Sequence, residues 1–248
     1  MQGTMKQSET QFDNEAYASQ SVVAIVPAAG IGSRMGANRP KQYLPLLDSC
    51  ILGITLQLLL DHPDIARVVV ALHSQDQFFS TLSQAQHPKL HTVEGGLERA
   101  NSVLAALQNV HETNAWALVH DAARPCLTHQ DIDRLLAARQ QFPQGAILAA
   151  PVRDTMKRAS ADGCVASTVS REALWHALTP QLFPAQELQR NLAAAIAAGI
   201  QVTDEASAME WAGVHPGLVT GRSDNIKITH PDDLPLATLY LRHQREQR

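Results

Sequence analysis

The chain has 248 residues, room for one large domain or two small ones, and 45% of them are hydrophobic, enough for a core of ordinary size. A formal net charge of −4 leaves no broad basic field, which excludes long nucleic acids as partners but leaves small anions open to a local cluster of Arg and Lys. Cys50, Cys126 and Cys164 lie far apart with no C-x-x-C, so neither a disulfide scaffold nor structural zinc is expected, and a reducing cytoplasm is the natural setting.

In chain order, residues 1–21 are polar, lack the apolar core of a signal peptide and read as a flexible lead-in. Residues 22–26 (VVAIV) form an apolar strand that breaks at Pro27. A helix is expected around 51–60, a strand over 67–72 (RVVVAL), a helix around 75–84, a short strand ending near Val93 and a helix over about 98–109. "WALVHDAARP" reads as a strand running into a loop, "QDIDRLLAARQQ" as a helix and "AILAAPV" as another buried strand. Strands that are apolar throughout are buried on both faces, which implies an α/β, Rossmann-like fold with a mostly parallel sheet between helices.

Residues 151–171 depart from this alternation: they are mixed, β-branched and polar around a central "ADG" turn, and read as a protruding two-stranded arm. An isolated hairpin is marginal in water, so the arm is expected to pack on something, a second subunit being one candidate. Two more helices follow, one ended by Gly199 and one capped by Thr203 or Asp204 and ended by Gly213. "NIKITHPDDLPLATLYLRHQ" reads as a short strand, a turn and a closing helix. No apolar run reaches the length of a membrane span.

The loop after the first strand carries the strongest chemical signal. Its glycines, Gly30, Gly32 and Gly36, miss the G-x-G-x-x-G spacing of a dinucleotide site by one residue, and no Walker A sequence is present. The pattern P-A-A-G-x-G-x-R-M-x(5)-K-Q instead leaves backbone N–H groups from Ala28 to Gly32 free to face an anion, with little side-chain bulk at Ala28, Ala29 and Gly30. Arg34 and Lys41 then supply charge where phosphoryl oxygens would sit; the plainer reading is a tight turn with two solvated cations.

Other segments are suggestive but weaker. Asp121, in "VHDAARP", sits where a strand meets a loop and either holds Mg²⁺ with substrate phosphates or caps the next turn and pairs with Arg124. "EGGLERANSV" offers Gly96, a possible anion partner in Arg99, and the Ser102 hydroxyl near a helix start. Lys227, in the apolar "NIKIT", could join Arg34 and Lys41 in a ring of cations. Thr155 and Arg171 fall on opposite strands of the arm. His87 and His91 are separated by Pro88 and match no zinc protease motif, and no G-x-S-x-G elbow exists.

Taken together, "VPAAGIGSRMGANRPKQYLPL", "EGGLERANSV", "VHDAARPCL", "APVRDTMKR", "WHALTPQLF", "TDEASAMEW" and "GRSDNIKIT" resemble the 2-C-methyl-D-erythritol 4-phosphate cytidylyltransferases, from about Val22 to near the C-terminus. The resemblance implies one nucleotidyltransferase domain over 22–248 that joins CTP to a branched polyol phosphate with Mg²⁺. It implies catalytic roles for Arg34, Lys41 and Lys227, and nucleotide contacts from Ala28, Ala29, Gly30, Gly96 and Ser102. Asp121 is implied at the metal and substrate, with Arg124 and Thr179 around the polyol phosphate and reacting centre. Thr155 and Arg171 are implied to reach a neighbouring subunit's site, hence a homodimer. Ser33 and Leu97 depart from the family, which often has arginine and an acidic residue there; Glu98 is adjacent to the second. A ribitol 5-phosphate cytidylyltransferase is the nearest alternative.

Overall fold

The computed structural model describes residues 20–30 and 39–247. The expected lead-in, apart from Gln20 and Ser21, and the loop residues 31–38, including Ser33 and Arg34, lie outside the described residues.

Strand β1 (Val22–Pro27) runs parallel between β4 (Ile65–Leu72) and β6 (Trp116–Val119) at the centre of a seven-stranded sheet. Two short strands, β2 (Pro45–Leu46) and β3 (Ser49–Cys50), pair with each other beside it. Burial on both faces explains why β1 is apolar at every position, and its side chains divide by parity. Val22, Ala24 and Val26 pack with Leu52, Leu56 and Leu59 of α1 (Ile51–Asp61) and with Ile132 and Leu135 of α3 (His129–Ala137). Val23 and Ile25 pack on the opposite face with Val103 and Leu107 of α2 (Arg99–Leu107), Leu188 and Leu192 of α4 (Ala185–Ala197), and Met209 of α5 (Glu205–Trp211). A third cluster sets α6 (Asp233–Glu246) against the start of α1 through Ala237, Leu241, Ile51 and Ile228.

With β5 (Leu90–Glu94), β7 (Ala146–Pro151), β10 (Trp175–Pro184) and β11 (Gly217–Thr220), the sheet order is β11-β7-β10-β6-β1-β4-β5. All neighbours are parallel except β10, which is antiparallel to both β6 and β7. This is the mostly parallel sheet between helices that the apolar runs imply. Gly199 and Gly213 take positive φ just beyond α4 and α5. Asp204 caps α5 in a reciprocal box with Ser207.

Three local expectations need correction. The helix expected at 75–84 is two short 3₁₀ turns, Phe79–Thr81 and Ser83–Gln86. Asp76 takes the Phe78 and Phe79 N–H groups at the start, and Pro88 forces His87 out of helical geometry at the end. No strand forms around Lys227. The Ile228 N–H reaches the Ala123 carbonyl in a loop instead of a strand partner, and the sheet edge is taken by β11 upstream.

The arm is a hairpin of β8 (Met156–Ala159) and β9 (Val165–Val169), turning at Gly163 with φ +82°. Thr155 and Arg171 lie just outside these strands rather than on them, at the base of the arm, where an Arg171 guanidinium nitrogen donates to the Arg153 carbonyl.

Candidate active site

The carboxyl ends of β1 and β6 lie side by side, and the loops leaving them wall a cavity of about 330 Å³. Ligands of open α/β sheets bind at this position. The loop after β1 is pinned from two sides: the Ala28 N–H donates to the Ala71 carbonyl, and Gln42 Nε2 donates to the Ala28 carbonyl at 2.7 Å. The glycine pair after β5 lets a second loop close on it. A Cβ on Gly95 would stand 2.5 Å from the Ala29 Cβ, so only glycine allows this approach. Gly30 is different, since a Cβ there would meet no described atom within 4 Å. Packing among the described residues therefore does not demand glycine at 30, and the bare backbone faces the cavity that Gly30 lines.

The cavity floor is a buried ionic cluster around Asp121. One carboxylate oxygen, Oδ1, accepts from Arg99 Nε at 2.9 Å. The other, Oδ2, lies 2.9 Å from Lys227 Nζ and 3.5 Å from Arg124 Nε, the latter without hydrogen-bond alignment. Burial alone would push the Asp121 carboxyl up, but Arg99, Lys227 and Arg124 outweigh it and hold the group well below the usual carboxylate range. Arg99 gives both terminal nitrogens to Glu205, at 2.6 and 3.1 Å. Burial would lower the Arg99 pKa, yet Glu205 and Asp121 together raise it.

A neutral chain supports Asp121 from behind. The Asp121 N–H donates to Thr179 Oγ1 at 3.1 Å. The Thr179 hydroxyl faces His120 Nδ1, also at 3.1 Å, and His120 Nε2 lies 3.0 Å from the Arg124 carbonyl. A carbonyl can only accept, so Nε2 carries the proton and Nδ1 accepts from Thr179. His120 stays neutral, its pKa pushed down to about 4 chiefly by burial. Asn225 closes the chain: its side-chain amide donates to the Thr179 carbonyl at 2.8 Å, and its main-chain carbonyl accepts from Arg124 at 2.7 Å.

Three cations thus face two carboxylates, and Lys41 adds a further ammonium on the cavity wall, where Nζ donates to the carbonyl of Ile228, next to Lys227. An excess of positive charge around a cavity with a bare-backbone rim suits a polyphosphate.

Of the residues singled out from sequence, Ala28, Ala29, Gly30, Lys41, Gly96, Ser102, Asp121 and Lys227 all line this cavity. The Ser102 hydroxyl is engaged with its own loop: it accepts from the Gly96 N–H at 3.1 Å and donates to the Glu98 carbonyl at 3.2 Å. Arg124 and Thr179 are buried behind Asp121 rather than on the wall. Thr155 and Arg171 are exposed and lie outside the cavity. Leu97 lines the cavity with a wholly exposed side chain, next to the exposed Glu98.

Sequence reasoning underrated Arg99 and missed Gln42, Glu205 and Asn225. The adjacency of Gln42 to Lys41 was a usable signal. The Glu205 pairing spans 106 positions and leaves no local pattern. Among the described residues, the group of His, Cys, Asp or Glu close enough to share a metal ion is His62, Asp64 and Asp133, none of which lines the cavity.

This sheet, with its small-residue loop and cationic cavity at the central strand ends, belongs to an enzyme of the nucleotidyltransferase class. A family model described as 2-C-methyl-D-erythritol 4-phosphate cytidylyltransferase matches residues 22–243, and the chain belongs to that family. The chain is 70% identical over 220 residues to the protein of that name from Shewanella sediminis, covering 89% of this chain and 94% of the relative. The namesake from Shewanella amazonensis is 66% identical over 233 residues, covering 94% and 98%. The crystal structure of the Francisella tularensis 2-C-methyl-D-erythritol 4-phosphate cytidylyltransferase superposes with a TM-score of 0.79 at 34% identity, covering 89% of this chain and 100% of that one. No helix among the described residues is long and apolar enough to cross a membrane.

Proposed function

We propose that this enzyme transfers the cytidylyl group of CTP to 2-C-methyl-D-erythritol 4-phosphate, giving 4-diphosphocytidyl-2-C-methyl-D-erythritol and pyrophosphate. The observation that carries the reading is the pairing, on one cavity wall, of the small-residue loop Ala28, Ala29 and Gly30 with the ammonium groups of Lys41 and Lys227; the Ala28 N–H, expected to face an anion, is instead taken by the Ala71 carbonyl, which leaves the backbone beyond it for the phosphates.

A phosphate oxygen of the polyol attacks the α-phosphorus of CTP in line. The new O–P bond forms as the bond to the bridging oxygen of the β-phosphate breaks, and pyrophosphate leaves with that electron pair. The second ionisation of a phosphate monoester lies near pH 6, so the nucleophile is already charged at neutral pH and needs no general base. The protein's work is positioning and charge neutralisation. Lys41 and Lys227, joined by Arg34, face the charge that develops on the α-phosphate and its leaving group. Asp121 holds Lys227 in place, while Gly96 and Ser102 shape the loop beside the nucleoside. Arg124 and Thr179 hold Asp121 from behind and reach the polyol phosphate only through it.

The cavity offers two carboxylates, Asp121 and Glu98, and both Asp121 oxygens already face cations. That donor set fits a Mg²⁺ ion that takes most of its ligands from the nucleotide's phosphates, and Asp121 is the residue that would hold it from the protein side. Mg²⁺ held there would supply charge that lowers the repulsion between two polyanions.

Thr155 and Arg171, which stand outside their own subunit's cavity, serve the neighbouring subunit's polyol phosphate in a homodimer built around the arm. Residues 22–248 act as one catalytic domain, and the enzyme works in the cytoplasm, where Cys50, Cys126 and Cys164 remain free thiols. The test is pyrophosphate release with CTP and Mg²⁺. Methylerythritol phosphate should react far faster than ribitol 5-phosphate; the reverse order would overturn the substrate assignment.

A further inference from the structure

The segment "TDEASAMEW" has no role in the transfer chemistry described above, yet it carries the most buried acid near the cavity. Glu205, the first residue of α5, is 1% exposed. A buried carboxylate has to be paired, and this one is matched by the two terminal nitrogens of Arg99 in fork geometry. Its position is fixed from the other side. Gln181 of β10 donates to the Asp204 carboxylate at 2.8 Å and accepts from the Ala206 N–H at 2.9 Å, clamping the first turn of α5 to the sheet. Support of this kind on a rigid strand is what a precisely aimed side chain requires.

The consequence lies in how Arg99 is shared. Gripped end-on by Glu205, the guanidinium is fixed in plane and direction, and Nε is the nitrogen that meets Asp121, at Oδ1. Oδ2 is left to the ammonium of Lys227 at 2.9 Å. A guanidinium released from Glu205 is free to swing into a two-pronged pair with Asp121, where it competes with Lys227 for Oδ2.

We infer that Glu205 is a positioning residue for nucleotidyl transfer: by holding the Arg99 fork it reserves Asp121 Oδ2 for Lys227 and so fixes that ammonium on the cavity wall. The inference rests on the functional reading above, and it acts through Arg99 and Asp121, not through contact with substrate.

Glu205→Gln keeps the size and removes the charge. It should lower kcat with CTP and methylerythritol phosphate by about 10- to 100-fold, the range seen when a group that orients a ligating side chain is removed. Glu205→Asp, which keeps the charge, should retain more of the activity. The decisive readout is the cycle with Lys227→Ala. If Glu205 works by placing Lys227, Glu205→Gln should slow the Lys227→Ala enzyme little further, whereas a purely structural role would multiply the two losses. Should Glu205→Gln fail to fold, the same cycle is run with Glu205→Asp. Wild-type kcat in the folded single variant, or losses that multiply, would overturn the inference. An inactive wild type would instead overturn the functional reading, so the two failures are distinct.

Discussion

Asp121→Asn should cost the fold about 3–5 kcal/mol at pH 7, the size expected when one partner of a buried ionic network is removed. The carboxylate is 8% exposed and answers three cations, Arg99, Arg124 and Lys227. An amide of the same shape still accepts, but it leaves Lys227 and Arg124 without the countercharge they share and aims an N–H₂ group at one of the three cations. Glu205 would then be the remaining anion of the cluster.

The pH dependence has a definite sign. Neighbouring cations hold the folded pKa of Asp121 below its unfolded value of about 3.9, so its stabilisation is complete above about pH 5 and is lost as the pH falls through the lower folded value. The gap between wild type and Asp121→Asn should therefore narrow in acid. Charging neutral His120 in acid destabilises both proteins; burial outweighs the Asp121 charge in setting the His120 pKa, so most of this contribution drops out of the difference. Denaturant unfolding of both proteins at pH 7 and at stepwise lower pH measures this directly. Equal stability at pH 7 would mean that the cluster does not depend on the Asp121 charge.

Lys41→Ala should lower kcat by about 10²–10³ at saturating substrates, as for the loss of one preorganised charge contact to a transition state. Lys41 suits the experiment better than Lys227, because removing Lys227 also strips a partner from buried Asp121. Lys41 reaches the site from a short 3₁₀ turn with a side chain that is only partly buried, so the fold should tolerate its truncation. A matching fall in kcat and kcat/KM would mark a contact made in the transition state; a rise in KM alone would mark uniform binding of the triphosphate. Normal turnover by the folded variant would contradict the role given to Lys41.

Much of the site was legible because its parts are local. A strand apolar at every position announces two-sided burial, and Pro27-Ala28-Ala29-Gly30 marks where it ends, so the position of the loop followed from the residues themselves. Asp121 was legible for the same reason, as a charge directly after β6. What failed was whatever depends on distant partners. Strand β10 carries Pro180 and a register break between Ala177 and Gln181, which obscure its pattern. The turn over 75–84 is decided by Asp76 and Pro88 against a helical composition. Lys227 sits on an extended segment with no strand partner, placed by Ile228, Asn225 and Asp121. Of the two readings of Arg124, the ion pair with Asp121 is visible in the structure, whereas its bond to the Asn225 main-chain carbonyl, 101 positions away, leaves no local pattern.

Where one nucleotide settles is the most direct check on all of this. In a crystal structure with CTP and Mg²⁺, the Nζ atoms of Lys41 and Lys227 should both lie roughly 3 Å from phosphate oxygens, with the nucleotide against the backbone of Ala28–Gly30. A triphosphate held elsewhere, with both ammonium groups still facing only protein oxygens, would contradict the proposed site.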